Sequence, residues 1–245
     1  MLSFLKNHPF AVEAFFESSL VLTYAVPKEE LRGMIPECLA LDTFDDKWAF
    51  VAVAMVKTKD LKPVGFPGFT GNDFNLVGYR IFVRYITRQG KRLRGLYILG
   101  SETNKRKMSF FGNIFTHYNY KTTDLDISTQ GSVLSVTSAR SGLDVAVKLN
   151  NERPPLPPRS PFKDWKEARH YAGPLPFTFT YQQKTKEVLI IEGVREHWEP
   201  TPVEVIRGNV EFVNSLPLKG LVLANAFIVR DIPYQWEKGR LERWK

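Results

Sequence analysis

The chain has 245 residues, with 43% hydrophobic and 24% charged side chains, which is long enough for one well-filled core over 1–245 and excludes a disordered or fibrous class. Its formal charge is +8, but Lys105, Arg106 and Lys107 form the only run of three basic residues, and no RNP-like, helix-turn-helix or zinc-finger pattern accompanies them. The excess charge therefore reads as solubility rather than as a nucleic-acid surface.

In chain order, Met1 to Phe16 mixes apolar and polar residues, as a short helix or packed arm would. A strand is expected at 19–26, closed by Pro27, which can open the short helix 28–35 because its missing N–H is not needed there. Strand-like runs follow at 39–44 and 48–57 around the turn Asp45-Asp46-Lys47. In the second run both alternating sets, Ala49, Val51, Val53, Met55 and Phe50, Ala52, Ala54, Val56, are apolar, so that strand should be covered on both faces. Residues 59–72 are rich in Gly and Pro and read as a long rim or lid loop. Strands are expected at 74–87 and 92–100, joined by a hairpin turn at 88–91.

The segment 104–118 is the clearest helix, with Met108, Phe111, Phe115 and Tyr118 along one stripe. Further strands are expected at 121–128, 132–138 and 144–149. Prolines 154, 155, 157, 158 and 161 then make 151–161 an extended crossover. A short helix at 163–170, strands at 177–183, 187–195, 204–212 and 221–230, and a loose polar tail from 237 complete the chain. Many short strands with one good helix predict a mainly β (α+β) fold, an antiparallel β-barrel or cone with a few short helices. A parallel α/β fold would need a helix between most strands.

Cys38 is the single cysteine, which precludes an intramolecular disulfide, and its apolar neighbours make it a small buried hydrophobe. No apolar run reaches the roughly 18 residues of a membrane span, and the N-terminus lacks a signal pattern, so a cytoplasmic location is expected. The four histidines stand at no metal-ligand spacing, and no phosphate-loop, nucleophile-elbow or dinucleotide motif occurs; neither a metal nor a cofactor is expected. The expected partners are a small-molecule ligand and at most further copies of the same chain, without specific nucleic acid or membrane.

Three patches carry a family resemblance. Thr23-Tyr24-Ala25-Val26-Pro27-Lys28-Glu29-Glu30-Leu31, followed by Pro36 and Leu39-Ala40-Leu41-Asp42, resembles the opening of the DUF2071 (YqjF-like) family. Phe74-Asn75-Leu76-Val77-Gly78-Tyr79-Arg80-Ile81-Phe82-Val83 is similar to that family's F-x-E-x-N-x-R-x-Y-V strand. Gly95 to Glu102, followed by a helix, is similar to its G-V-x-F-x-S-L-D-A segment. The resemblance implies the acetoacetate decarboxylase-like fold, strands around an apolar cavity, and a small-molecule ligand such as an organic carboxylate or carbonyl compound. It implies, as the alternative, a lyase that forms a Schiff base between a lysine and a keto acid. The decarboxylase has a Y-N-E-V strand with an active-site glutamate, and Leu76 stands where that acid would be.

On that resemblance Lys105 is the candidate Schiff-base amine and Glu102 the candidate proton carrier. A helix start and the neighbouring Arg106 and Lys107 would depress the Lys105 pKa, whereas a plain solvated basic cluster is the other reading. Arg80 lies in an apolar strand, either clamping a substrate carboxylate or pointing out of the sheet. Phe74, Tyr97, Met108 and His117 are the candidate ligand-binding walls, His117 beside the polar-aromatic cluster Tyr118-Asn119-Tyr120.

Overall fold

A computed structural model describes residues 3–149, 152–173 and 175–244. The strands are β1 (Val12–Pro27), β2 (Ala40–Leu41), β3 (Trp48–Pro63), β4 (Asn72–Ile86), β5 (Arg92–Thr103), β6 (Tyr120–Thr122), β7 (Asp126–Gln130), β8 (Val133–Ser138), β9 (Leu143–Lys148), β10 (Phe177–Gln182), β11 (Glu187–Val194), β12 (Thr201–Pro202), β13 (Glu204–Val210), β14 (Val222–Trp236) and β15 (Arg240–Arg243). The helices are α1 (Lys28–Arg32), α2 (Arg106–Phe115), α3 (Trp165–Ala168) and α4 (Glu211–Asn214), with short 3-10 turns at Ser3–Asn7, Gly68–Thr70 and Arg169–Tyr171. The fold is mostly β with few short helices, as the spacing of strands and turns implies.

Among the described residues, 11 strands join in one sheet along the order β12-β14-β1-β3-β4-β5-β10-β11-β15, with β2 on β4 and β6 on β5. β11 also returns to β14 through Gly193↔Trp236 and Val194↔Gln235, so the pairings run in a ring. Most are antiparallel, but β10 and β6 each lie parallel to β5. The four strands β13-β9-β8-β7 form a second sheet.

The doubly apolar run in β3 explains the layering. Ala49, Val51, Val53 and Met55 pack into a core shared with Leu134, Val136, Val145 and Val147 of the second sheet. Phe50, Ala52, Ala54 and Val56, on the other face, pack into a separate core with Phe162, Trp165 and Tyr171 around α3. Each fully buried Val, Met or Phe among them contributes roughly 1.5–3 kcal/mol, and each Ala less. The site described below lies on this second face.

Several boundaries differ from the sequence reading, each because tertiary pairing extends or trims a local preference. β1 begins at Val12 rather than 19, since Val12, Glu13, Phe15 and Phe16 find partners on both β3 and β14, and Ala14 on β14. The Gly/Pro segment is shorter than expected, because β3 continues to Pro63 and β4 starts at Asn72. α2 spans only Arg106–Phe115; Thr116 is already extended, and its hydroxyl donates to the Gly112 carbonyl at 2.7 Å. The polar tail is not loose, for Arg240 to Arg243 pair with Ile190 to Glu187. Residues 152–161 carry no strand or helix, while Asn151, the first residue of the expected crossover, lies outside the described residues. No helix among the described residues is long and apolar enough to cross a membrane.

Candidate functional site

β4 sorts its side chains by parity. Val77, Tyr79, Ile81 and Val83 face the core shared with the second sheet, and Phe74, Leu76 and Phe82 face the other side. Arg80 shares the second parity and points into a small chamber of about 50 Å³, with Leu96, Ile98, Ser101, Tyr118, Tyr120, Thr178 and Tyr234 among its walls. It is deeply enclosed by protein yet retains accessible surface, because that surface faces the chamber.

A bulge shapes this wall. Tyr79 pairs with Gly100 and Arg80 with Ile98, leaving Leu99 as the extra residue of β5. The bulge switches parity, so that both Ile98 and Ser101 face the Arg80 chamber. Gly78 makes room for the guanidinium: a Cβ there would lie 2.8 Å from Arg80 Nε and 2.9 Å from Nη2. The side chain therefore folds back over Gly78 toward Leu76.

Arg80 has no carboxylate partner among the described residues, and its buried Nε has no hydrogen-bond partner. Burial pushes its pKa down from the usual arginine value, while the nearby Tyr234, Tyr118 and Tyr120 oppose that shift. An uncompensated buried charge is costly, and native proteins retain one where something else supplies the counter-charge. Burial likewise pushes the Tyr118 phenol up to about 12, so it stays protonated as a hydrogen-bonding group. The Tyr118 and Thr178 hydroxyls lie 2.8 Å apart.

The two tyrosines after α2 are placed by that helix. The Asn113 side chain donates to the Tyr120 carbonyl at 2.9 Å and accepts from the Tyr120 N–H at 2.8 Å. Ser109 also donates to that carbonyl, at 3.1 Å. Gly112 leaves space for the ring, since a Cβ there would stand 2.4 Å from Tyr120 Cδ2.

A second chamber, of about 120 Å³, adjoins the first and shares Leu76, Tyr118, Tyr120 and Trp236 with it. Its other walls are mostly apolar: Phe74 and Leu61 from the sheet, Met108, Phe111 and Phe115 from α2, and Phe10 from the N-terminal arm. The arm is pinned at His8, whose N–H donates to the Phe115 carbonyl at 3.1 Å and whose carbonyl accepts from Gly239 N at 2.8 Å. Phe10 meets Phe115 edge to face at 5.1 Å.

Of the residues singled out from sequence, the structure brings together Arg80, Phe74 and Met108. The others are corrected in position. Lys105 stands exposed at the N-cap of α2 and lines neither chamber. β5 ends at Thr103, and Asn104 turns the chain by accepting the Asn75 N–H at 2.9 Å, which leaves the basic cluster facing outward. Glu102 pairs with Val77 and so faces the opposite side of the sheet from Arg80; there it accepts a hydrogen bond from Tyr79 at 3.1 Å. Tyr97 pairs with Ile81 and also faces that opposite core. His117 is half-buried outside both chambers, its pKa lowered by burial and then by Lys6. Sequence reasoning missed Tyr234, Thr178 and His8; Gly78, two residues before a strand arginine, was the available signal of close backbone approach.

The sequence profile of DUF2071, described as an uncharacterized conserved protein, matches residues 14–242. The chain belongs to this family. No curated protein matches its sequence. Among solved structures, it is similar to acetoacetate decarboxylase from Legionella pneumophila, with TM-score 0.61 and 11% identity over 95% of this chain and 87% of that one. An acetoacetate decarboxylase-like enzyme from Sphingomonas wittichii RW1 matches with TM-score 0.58 and 11% identity, over 98% and 94%. The enduracididine biosynthesis enzyme MppR, complexed with pyruvate, matches with TM-score 0.56 and 10% identity, over 95% and 90%. This DUF2071 member therefore has the acetoacetate decarboxylase-like fold.

Proposed function

We propose that this DUF2071 protein binds a small organic carboxylate, with Arg80 as the clamp and the adjoining apolar chamber as the seat of the rest of the molecule. The observation that carries this reading is the enclosed guanidinium of Arg80, facing a chamber without a carboxylate partner among the described residues. A planar guanidinium matches a carboxylate through two parallel hydrogen bonds, and such charge-assisted pairs are the strong ones. Tyr118, Tyr120 and Thr178 add hydroxyls around the same space, while Phe74 and Met108 supply apolar wall. The pyruvate held by the structurally similar MppR is a ligand of this chemical class.

The Schiff-base alternative draws no support from the geometry, for among the described residues no lysine lines either chamber. Binding without covalent capture is accordingly the reading the site supports best. Calorimetric titration of the protein with acetate and pyruvate tests it: binding is expected for the wild type and lost, by about 100-fold or more, in Arg80→Met. Equal affinity in the two proteins would overturn the clamp. Borohydride treatment with pyruvate is expected to leave no adduct, and a stable adduct on Lys105 would restore the lyase reading.

A further inference from the structure

Resting on the carboxylate reading, a second set of orphaned polar atoms narrows the ligand further. The apolar chamber holds two of them: His8 Nδ1 and Thr58 Oγ1 are both buried, both without a hydrogen-bond partner, and both residues line that chamber. His8 is 6% exposed and Thr58 2% exposed, so bulk water does not satisfy either. A backbone hydrogen bond with Glu237 opposes the loss of the ring proton. Nδ1 is the ring nitrogen left without a partner, and in a neutral ring it can accept from a ligand donor. Burial lowers the pKa of His8, which keeps the ring neutral and preserves that acceptor. The Thr58 hydroxyl, by contrast, can donate. A ligand hydroxyl would give a proton to one and accept from the other.

Strand geometry measures the distance between the two ends. Thr58 pairs directly with Phe74, and the Arg80 guanidinium folds back over Gly78. From Phe74 to Gly78 is four residues, or about 13 Å at about 3.3 Å per residue. That backbone span sets the scale of the ligand as one ring with a short acid arm, larger than a two-carbon acid. The chamber between them, about 120 Å³, is close to the roughly 150 Å³ cavity that accepts a benzene ring. Its walls at Phe74, Leu76, Met108, Phe115 and Trp236 present carbon to such a body.

We propose that the ligand is a hydroxylated aryl-alkanoic acid: a carboxylate on Arg80, a body about the size of a phenyl ring in the apolar chamber, and a distal hydroxyl received by His8 and Thr58. The N-terminal arm is then part of the site, because it brings His8 and Phe10 over the chamber against α2.

Calorimetric titration with acetate, 3-phenylpropionate and 3-(4-hydroxyphenyl)propionate tests this on the wild type, His8→Phe, Thr58→Val and Arg80→Met. Wild type is expected to bind 3-phenylpropionate at least about 30-fold more tightly than acetate, since each buried methylene-sized increment adds about fourfold. The para-hydroxyl is expected to add about fivefold in the wild type. That ratio between the two aryl acids should collapse to one or below in His8→Phe and fall in Thr58→Val. Because the readout is a ratio within each protein, a general weakening of a variant does not obscure it. Acetate binding as tightly as the aryl acids would overturn the assignment while leaving the Arg80 clamp standing, and so would a hydroxyl that weakens binding to the wild type. Failure of every acid to bind, or undiminished binding in Arg80→Met, would overturn the clamp and this inference with it.

Discussion

Arg80 and Arg84 stand four residues apart on β4, with the same parity, and the protein treats them in opposite ways. Arg84 is exposed and bonds Asp42 through Nε at 2.6 Å; Arg94, directly across on β5, bonds the other oxygen of the same carboxylate. Asp42 is fully buried, and Arg94 further donates to the His170 carbonyl at 2.7 Å and lies 4.8 Å over the Tyr171 ring. This cluster closes its own valences and fastens the α3 segment to the sheet. Arg80 has deeper burial, three tyrosines and no acid. The contrast separates a charge paired within the fold from one left without an acid, which on the function proposed above a ligand carboxylate completes.

The two arginines should therefore respond differently to neutralisation. The largest effect is expected in Arg80→Met, which should lose carboxylate binding by about 100-fold or more while the ligand-free protein becomes more heat-stable, because a buried unpaired charge is removed. A thermal melt and a titration on the same sample check both halves. Asp42→Asn should show the reverse: stability falls by about 3 kcal/mol in denaturant unfolding, as expected when a buried carboxylate bridging two arginines is neutralised, with acid binding retained. If Asp42→Asn loses binding and keeps its stability, the division between the two regions is wrong.

Gly78→Ala probes the Arg80 side more gently. Its methyl would displace the guanidinium rather than any backbone, so acid affinity should drop by about tenfold with the fold intact by circular dichroism. The smallest expected effects are pH responses. His8 is buried and its pKa lies below the ordinary 6.5, so the unfolded chain takes up a proton before the folded one does. Its contribution to stability is present above that value and is lost as pH falls below about 6.5; His8→Phe should flatten this part of the stability profile. Asp124 is held low, to about 2, chiefly by the Ser138 hydroxyl at 2.5 Å and also by the Arg140 N–H at 3.1 Å. Its contribution is present above about 3.8 and fades as pH falls toward 2, a slope that Asp124→Asn should remove.

Much of the scaffold could be read from the chain because β periodicity is local. The two apolar sets of residues 49–56 correctly implied a strand covered on both faces; of the stripe Met108, Phe111, Phe115 and Tyr118 all four wall the apolar chamber, although Tyr118 lies beyond the end of the helix. Leu76, at the position where the decarboxylase pattern has glutamate, lines both chambers. What the chain could not disclose depends on pairing. A bulge at Leu99 decides which of Ser101 and Glu102 faces Arg80, and no residue count reveals it. Tyr234 and Thr178 reach the site from β14 and β10, more than fifty residues downstream of α2, and only the ring of pairings brings them there. Lys105 is kept outside by a turn that a helix-start argument cannot orient.

The most direct test of the central claim is a crystal structure of the protein soaked with 3-phenylpropionate. The carboxylate is expected within hydrogen-bond distance of Arg80 Nε and Nη2, with the ring between Phe74 and Met108. An acid bound elsewhere, with the Arg80 guanidinium still without an anion, would contradict the account.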